Sequence, residues 1–268
     1  MAEVIQALRD VTVVTGASSG IGRELALLAA RQGEVLLVAR GEQGLRALAT
    51  QIVAEGGRAT WLTCDGEERD AAAQITRHLA ANGMSCLQLV NNAGHGIVGL
   101  AHRSDCAAQI GSIDLNVRFL TDLALAVLPG MVERGKGGIL NVASVASFLP
   151  GPGMAVYYAG KAYVQTLSES LWEEVRGSGV RITSLCPGPV DTGFLGRATG
   201  GAKPRETSIF HVPASEVART GWEAFKRGQR TIIPGFANKM AAILLPFLPR
   251  PILLKMVMRR QSGRQDGR

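Results

Sequence analysis

The sequence predicts an α/β fold: a single domain built on one doubly wound parallel sheet of about seven strands. Three observations carry that expectation. Apolar, β-branched runs alternate with helix-period stretches along nearly the whole chain, as successive right-handed βαβ crossovers require. The runs are continuously apolar, so both faces of the sheet are expected to be covered. The 268 residues suffice for such a core without a disulfide or metal staple.

Strands are expected at Val11–Thr15, Val35–Ala39, Ala59–Thr63, Leu87–Asn91, Gly138–Val142, Val180–Leu185 and Thr231–Ile233. Each is a short apolar run of strand length. Between them the apolar residues recur at helical spacing near Ile21–Gln32, Gly41–Glu55, Asp70–Asn82, Ala107–Arg134, Ala155–Arg176 and Pro213–Arg227. Arg197–Arg205 (RATGGAKPR) is small, basic and rich in Gly and Pro, and reads as a loop rather than a domain boundary. The main unit is expected over 1–238, followed by an apolar and basic extension over 239–268.

The net charge is +7, but +5 of it falls from Arg250 onward, where six basic residues face only Asp266. The high pI therefore describes a tail. No basic, aromatic-interleaved surface is visible, so a nucleic-acid partner is not expected. Cys64, Cys86, Cys106 and Cys186 stand apart, with no CxxC pair and no close Cys/His cluster. That argues against a metal site and fits a reducing compartment. MAEVIQALRDVTVV lacks the basic and apolar regions of a signal peptide, so a cytoplasmic protein is expected.

Thr15-Gly16-Ala17-Ser18-Ser19-Gly20-Ile21-Gly22 follows the first strand and opens a helix. Glycines permit a tight turn there, and the helix N-terminus presents unpaired N–H groups to a pyrophosphate. Further on stand Asn91-Asn92-Ala93-Gly94, Asn116, Ser144 and Tyr157-x-x-x-Lys161. In this order and spacing, with Ser144 13 residues before Tyr157, the set resembles the short-chain dehydrogenase/reductase family from about Val11 to Ile233. The resemblance implies a Rossmann-like fold and an oxidoreductase using a nicotinamide cofactor. Gly16, Ser18, Ser19, Gly20, Ile21 and Gly22 would cradle its pyrophosphate. Asp65 would contact the adenine, and Asn92, Ala93 and Gly94 would pass its ribose. Pro187, Gly188, Val190 and Thr192 would turn toward the nicotinamide.

The end of the second strand bears on cofactor choice. Ala39 stands where NAD-preferring relatives tend to carry an Asp, and Arg40 follows it. A guanidinium can grip a 2′-phosphate with charge-assisted bonds, which favours NADP(H). Ser19 stands where many NADP-using relatives carry a second basic residue, and Arg23 lies close by.

Tyr157 and Lys161 are four apart and share one helix face. A free tyrosine has a pKa of about 10, and a nearby ammonium is expected to lower it. The expected catalytic set is Asn116, Ser144, Tyr157 and Lys161. Tyr157 exchanges the proton, and Ser144 holds the substrate oxygen. By the resemblance, Lys161 also bonds the nicotinamide ribose, and Asn116 holds a water relaying protons to it. Tyr158 is turned about 100° away on the helix, and Ser147 is wrongly spaced. His95 and His211 read as polar loop residues.

The expected function is NADP(H)-dependent hydride transfer between nicotinamide and a carbonyl or secondary alcohol of a hydrophobic small molecule. Phe148, Leu149, Met154, Phe194 and Leu195 are the expected apolar pocket. The alternative is a non-catalytic NADP(H)-binding sensor or scaffold. By the resemblance, a homodimer or homotetramer would form through the two long helices near Ala107–Arg134 and Ala155–Arg176. The tail over Met240–Arg260 is broken by Pro246, Pro249 and Pro251. It is left with three readings: a lid over the pocket, a subunit contact, or a peripheral segment on an anionic membrane.

Overall fold

The computed structural model describes residues 8–190 and 209–265, without the side chains of residues 260 and 262–265. Thr192, Phe194, Leu195 and the loop Arg197–Arg205 lie outside the described residues.

The chain alternates β1 (Arg9–Thr15), α1 (Gly20–Ala30), β2 (Glu34–Ala39), α2 (Glu42–Ala54), β3 (Ala59–Thr63), α3 (Ala71–Ala81) and β4 (Met84–Asn91). Then follow α4 (Cys106–Ile113), α5 (Leu120–Glu133), β5 (Gly137–Val142), α6 (Ala155–Glu174), β6 (Val180–Leu185), α7 (Ala214–Lys226) and β7 (Thr231–Ile232). The strands form one seven-stranded sheet in the order β3-β2-β1-β4-β5-β6-β7. Every pairing is parallel. Each expected strand is present within a few residues of its expected ends.

Alternate residues of each strand feed two cores. Val13, Leu36, Leu89 and Ile139 pack against α3, α5 and α6 on one face. Their neighbours Val14, Leu37, Val90 and Leu140 pack against α1, α2 and α7 on the other, where Trp222 and Phe225 are fully buried. Burying an aromatic or aliphatic side chain of this size is worth about 1.5–3 kcal/mol. The continuous apolarity of the strands is thus the signature of a two-sided sheet. Between the layers Asn91 donates to Asn141 Oδ1 (3.2 Å) and to the Leu120 carbonyl, and Asn141 donates to Ser168 Oγ (3.0 Å). These bonds satisfy buried amides and lock β4 and β5 to α5 and α6.

The long helix expected over Ala107–Arg134 is helical from Cys106 to Glu133, with a π-helical turn at Asp114–Phe119 that carries Asn116. After β7 the chain forms α8 (Phe236–Leu244), a 3₁₀ turn at Leu245–Phe247 and α9 (Arg250–Gln265). Sheet order reverses between β1 and β4, and in open α/β sheets the ligand crevice opens there, beyond the carboxyl ends of the strands.

Candidate active site

A cleft of about 760 Å³ runs along those strand ends. At one end, the turn after β1 takes left-handed glycine conformations at Gly16 (φ +64°) and Gly20 (φ +55°). A Cβ on Gly22 would fall on the Gly16 carbonyl and the Asn92 amide. Asn92 Nδ2 donates to the Thr15 carbonyl at 3.0 Å and the Gly16 carbonyl at 3.3 Å. The backbone N–H groups of Asn92 and Ala93 each donate to Thr15 Oγ1 at 3.0 Å. Asn92 therefore holds the glycine turn in shape. Ser19 precedes α1 without a side-chain capping bond, so its hydroxyl leaves open the first-turn N–H groups that a phosphate would use. Gly16, Ser18, Ser19, Gly20 and Ile21 line the cleft, while Gly22 lies behind it. This cradle fits a dinucleotide pyrophosphate.

Beyond the ends of β2 and β3, Arg40 and Asp65 line the same cleft. Arg40 Nη1 lies 3.8 Å from Asp65 Oδ2 and 3.5 Å from Glu67 Oε1. Glu67 Oε1 also meets His95 Nε2 at 3.1 Å. His95 is thus a cleft residue paired to an acid, not merely a loop polar group, and Glu67 is an addition that no motif announced. Arg23 turns elsewhere, to Glu24 and Gln51.

The strand end of β5 and the first turns of α6 bring Ser144, Tyr157 and Lys161 into the cleft. Ser144 Oγ accepts from Ala146 N at 3.1 Å, capping the 3₁₀ turn Val145–Phe148. Lys161 is buried and donates to the Val142 carbonyl at 2.7 Å, with Nζ 6.0 Å from the centre of the Tyr157 ring. Ser147, the wrongly spaced rival, donates to the Lys161 carbonyl.

The electrostatics depart from the expectation for Tyr157. Its phenol is pushed up from 10.0 to about 12, chiefly by burial, with the Ser144 hydrogen bond pulling the other way. The Lys161 ammonium, 6.0 Å from the ring centre, does not offset that loss of water. Lys161 is itself pushed down from 10.5 to about 8 by burial, with Cys186 opposing.

Asn116 does not line the cleft. Its Nδ2 faces the His95 carbonyl (2.6 Å), the Ser112 carbonyl (2.8 Å) and Ser112 Oγ (2.9 Å), while its buried Oδ1 has no hydrogen-bond partner. A Cβ on Gly94 would sit 2.5 Å from that oxygen and 3.4 Å from Lys161 Nζ. The unpartnered acceptor and the ammonium therefore border the same bare glycine, an arrangement suited to a bridging water.

Pro187, Gly188 and Val190 line the cleft after β6, and the backbone N–H of Val145 donates to the Pro187 carbonyl at 3.0 Å. A Cβ on Gly188 would overlap the Asn238 side chain, which is buried and donates to the Phe210 and Pro234 carbonyls. Of the expected apolar pocket, Leu149 and Met154 line the cleft, whereas Phe148 packs with Leu120, Ala143 and Val164. The remaining wall is Phe210, Ala241, Ala242, Leu245, Met256 and Val257, together with Tyr158 and Gln261. Tyr158 is turned from Tyr157 with ring planes at 78°, yet reaches the cleft and accepts from Gln261 Nε2 at 3.2 Å. The one signal for Gln261 was its spacing: it follows Leu253 and Val257 at four-residue steps, and all three are buried.

A glycine turn suited to a phosphate, beside a half-buried Tyr157 flanked by buried Ser144 and Lys161, defines a nucleotide-dependent oxidoreductase. The family model for short chain dehydrogenase matches residues 10–201, and the chain belongs to this family. Three solved structures illustrate the likeness. A short-chain dehydrogenase from Sphingobium yanoikuyae in complex with NADPH is 31% identical, covering 97% of this chain and 96% of that one, with a TM-score of 0.78. The bulky-bulky ketone specific alcohol dehydrogenase from Comamonas testosteroni is 26% identical over 98% and 96% of the two chains, with a TM-score of 0.72. A family member from Burkholderia phymatum in complex with NAD is 25% identical over 90% and 94%, with a TM-score of 0.79. A nicotinamide cofactor is common to the first and third.

Proposed function

We propose that this protein is an NADP(H)-dependent reductase of carbonyl groups on bulky hydrophobic molecules, working as an alcohol dehydrogenase in reverse. One observation carries the reading: Ser144, Tyr157 and Lys161 meet in a cleft whose far wall is apolar and whose near wall is the glycine turn. When bound, the reduced nicotinamide supplies a hydride to the carbonyl carbon. Gly16, Ser18, Ser19, Gly20 and Ile21 would hold its pyrophosphate, Arg40 a 2′-phosphate, and Asp65 the adenine. Asn92, Ala93 and Gly94 would pass its ribose, with Pro187, Gly188, Val190 and Thr192 at the carboxamide.

The chain's own groups handle the proton. Tyr157, kept protonated by burial, donates its hydroxyl proton to the carbonyl oxygen as negative charge grows there. Ser144 donates a second hydrogen bond to that oxygen, stabilising the charge as it develops. The Lys161 ammonium then favours the phenolate left behind. Asn116 Oδ1, facing the same glycine as Lys161, supports a water chain that returns the proton. The apolar wall and the Comamonas testosteroni relative support a bulky hydrophobic substrate. Arg40 and the Sphingobium yanoikuyae relative support NADPH.

The exposed apolar side chains Ile110, Leu125, Val132 and Tyr163 on α4–α6 support a homodimer or homotetramer. A cytoplasmic setting belongs to the same proposal and is supported by the sequence reading alone.

The test is oxidation of NADPH and of NADH over a panel of hydrophobic aldehydes, ketones and quinones. Turnover with NADPH is expected, falling by roughly 10²–10⁴ in Tyr157→Phe while NADPH binding is retained. Binding without turnover across the panel, unchanged in that variant, would favour the sensor or scaffold instead.

A further inference from the structure

The outer side of the C-terminal segment displays several large apolar side chains. Between α8 and α9 the chain turns at Ile243-Leu244-Leu245-Pro246-Phe247-Leu248-Pro249-Arg250. Leu245 faces inward and lines the cleft. Its neighbours do not: Phe247 is 84% exposed, Leu244 58% and Ile252 57%, with Ile243 and Leu248 also exposed. Three prolines fix this elbow, so the apolar side chains are displayed on a stiff turn.

The charged residues of this stretch of sequence have one sign. Residues 234–265 contain Lys239, Arg250, Lys255, Arg259, Arg260 and Arg264 and no Asp or Glu. On α9, Leu253, Val257 and Gln261 are buried, which leaves Lys255 and Arg259 on the outward side beside Ile252. A symmetric contact between two copies sets the same patch against itself, so cation would meet cation. An anionic bilayer matches both properties: the acyl region accepts the elbow, and the headgroups accept the cations. The apolar stretch Phe236–Phe247 is too short to span, which suits a segment lying in the interface.

We propose that the elbow at residues 243–252 docks the protein on anionic membrane surfaces. Because Leu245 and Met256 on the same segment line the cleft, docking sets the substrate wall against the lipid. A membrane-dissolved carbonyl compound then reaches the cleft without crossing bulk water. That delivery step rests on the reductase reading; the docking itself does not.

The test is co-sedimentation of the full chain with phosphatidylcholine vesicles, and with vesicles that carry roughly a third phosphatidylglycerol. Binding to the anionic vesicles is expected to be at least about tenfold tighter than to the neutral ones. Phe247→Glu, at a side chain that leaves the cleft untouched, is expected to weaken it about tenfold, and Lys255→Glu with Arg259→Glu to abolish the preference. Far-UV circular dichroism and the thermal denaturation midpoint are expected to stay unchanged in both variants, which shows that each is folded. Absence of binding, or equal binding to both vesicle types, overturns the proposal. So does an oligomer that Phe247→Glu dissociates while the parent ignores vesicles, since the elbow is then a contact between copies. Sedimentation requires no turnover, so failure of docking and failure of the reductase reading are observed separately.

Discussion

Replacing Arg40 with alanine separates the two nicotinamide cofactors. A charge-assisted hydrogen bond contributes about 1.5–3 kcal/mol. Arg40 is half-exposed, so solvent screens it, and a 2′-phosphate must also draw it from Asp65 (3.8 Å) and Glu67 (3.5 Å). These discounts leave a net contribution of about 1–2 kcal/mol, equivalent to a 5- to 30-fold rise in the NADPH Kd. NADH has no 2′-phosphate, and its Kd is expected to move by less than about twofold. Glu67→Gln acts in the opposite direction, since it removes a competing carboxylate; NADPH is expected to tighten by about 2- to 5-fold. Fluorescence titration of both cofactors against the parent and the two variants measures all of this. Equal losses for NADPH and NADH in Arg40→Ala would refute the reasoning, because the guanidinium would then serve the turn's shape and not the phosphate.

Lys161 ties stability to pH. Burial lowers its pKa from 10.5 to about 8, so between those values the unfolded chain binds more protons than the folded one, and stability contributed at this site rises with pH across that window. The parent minus Lys161→Met difference in denaturation free energy is expected to grow by up to about 3 kcal/mol from pH 8 to 10.5, and a flat difference would contradict it. Taking the difference cancels the opposing drift from the buried thiols of Cys64 and Cys86, whose pKa values are raised. Gly22→Ala presses a methyl group against the Gly16 carbonyl and the Asn92 amide. It is expected to cost about 1–3 kcal/mol of stability and to weaken both cofactors together, as thermal denaturation and titration would report.

The sheet was legible because each strand is a local apolar run, and the glycine turn because its residues are contiguous. Ser144, Tyr157 and Lys161 were legible for a related reason: 18 residues hold them, and a strand end followed by one helix turn fixes their relation. The far wall of the cleft was not. Gln261 meets Tyr158 across 103 residues of chain, and no periodicity in the tail specifies where α9 lands. Glu67 escaped for a similar reason, since its partners Arg40 and His95 arrive from different strand ends. Tyr157 shows a different limit. Spacing places an ammonium near a phenol, but only the packed structure shows how much water both have lost.

The cleft is built from two stretches of chain that answer to different pressures. One wall comes from the turns after β1, β2, β3, β4 and β6, which on the proposed reading hold the coenzyme. The other comes largely from α8 and α9, which carry none of the hydride chemistry. On the proposed reading, changes confined to α8 and α9 are expected to move substrate range more than coenzyme affinity, except at Asn238, which abuts Gly188.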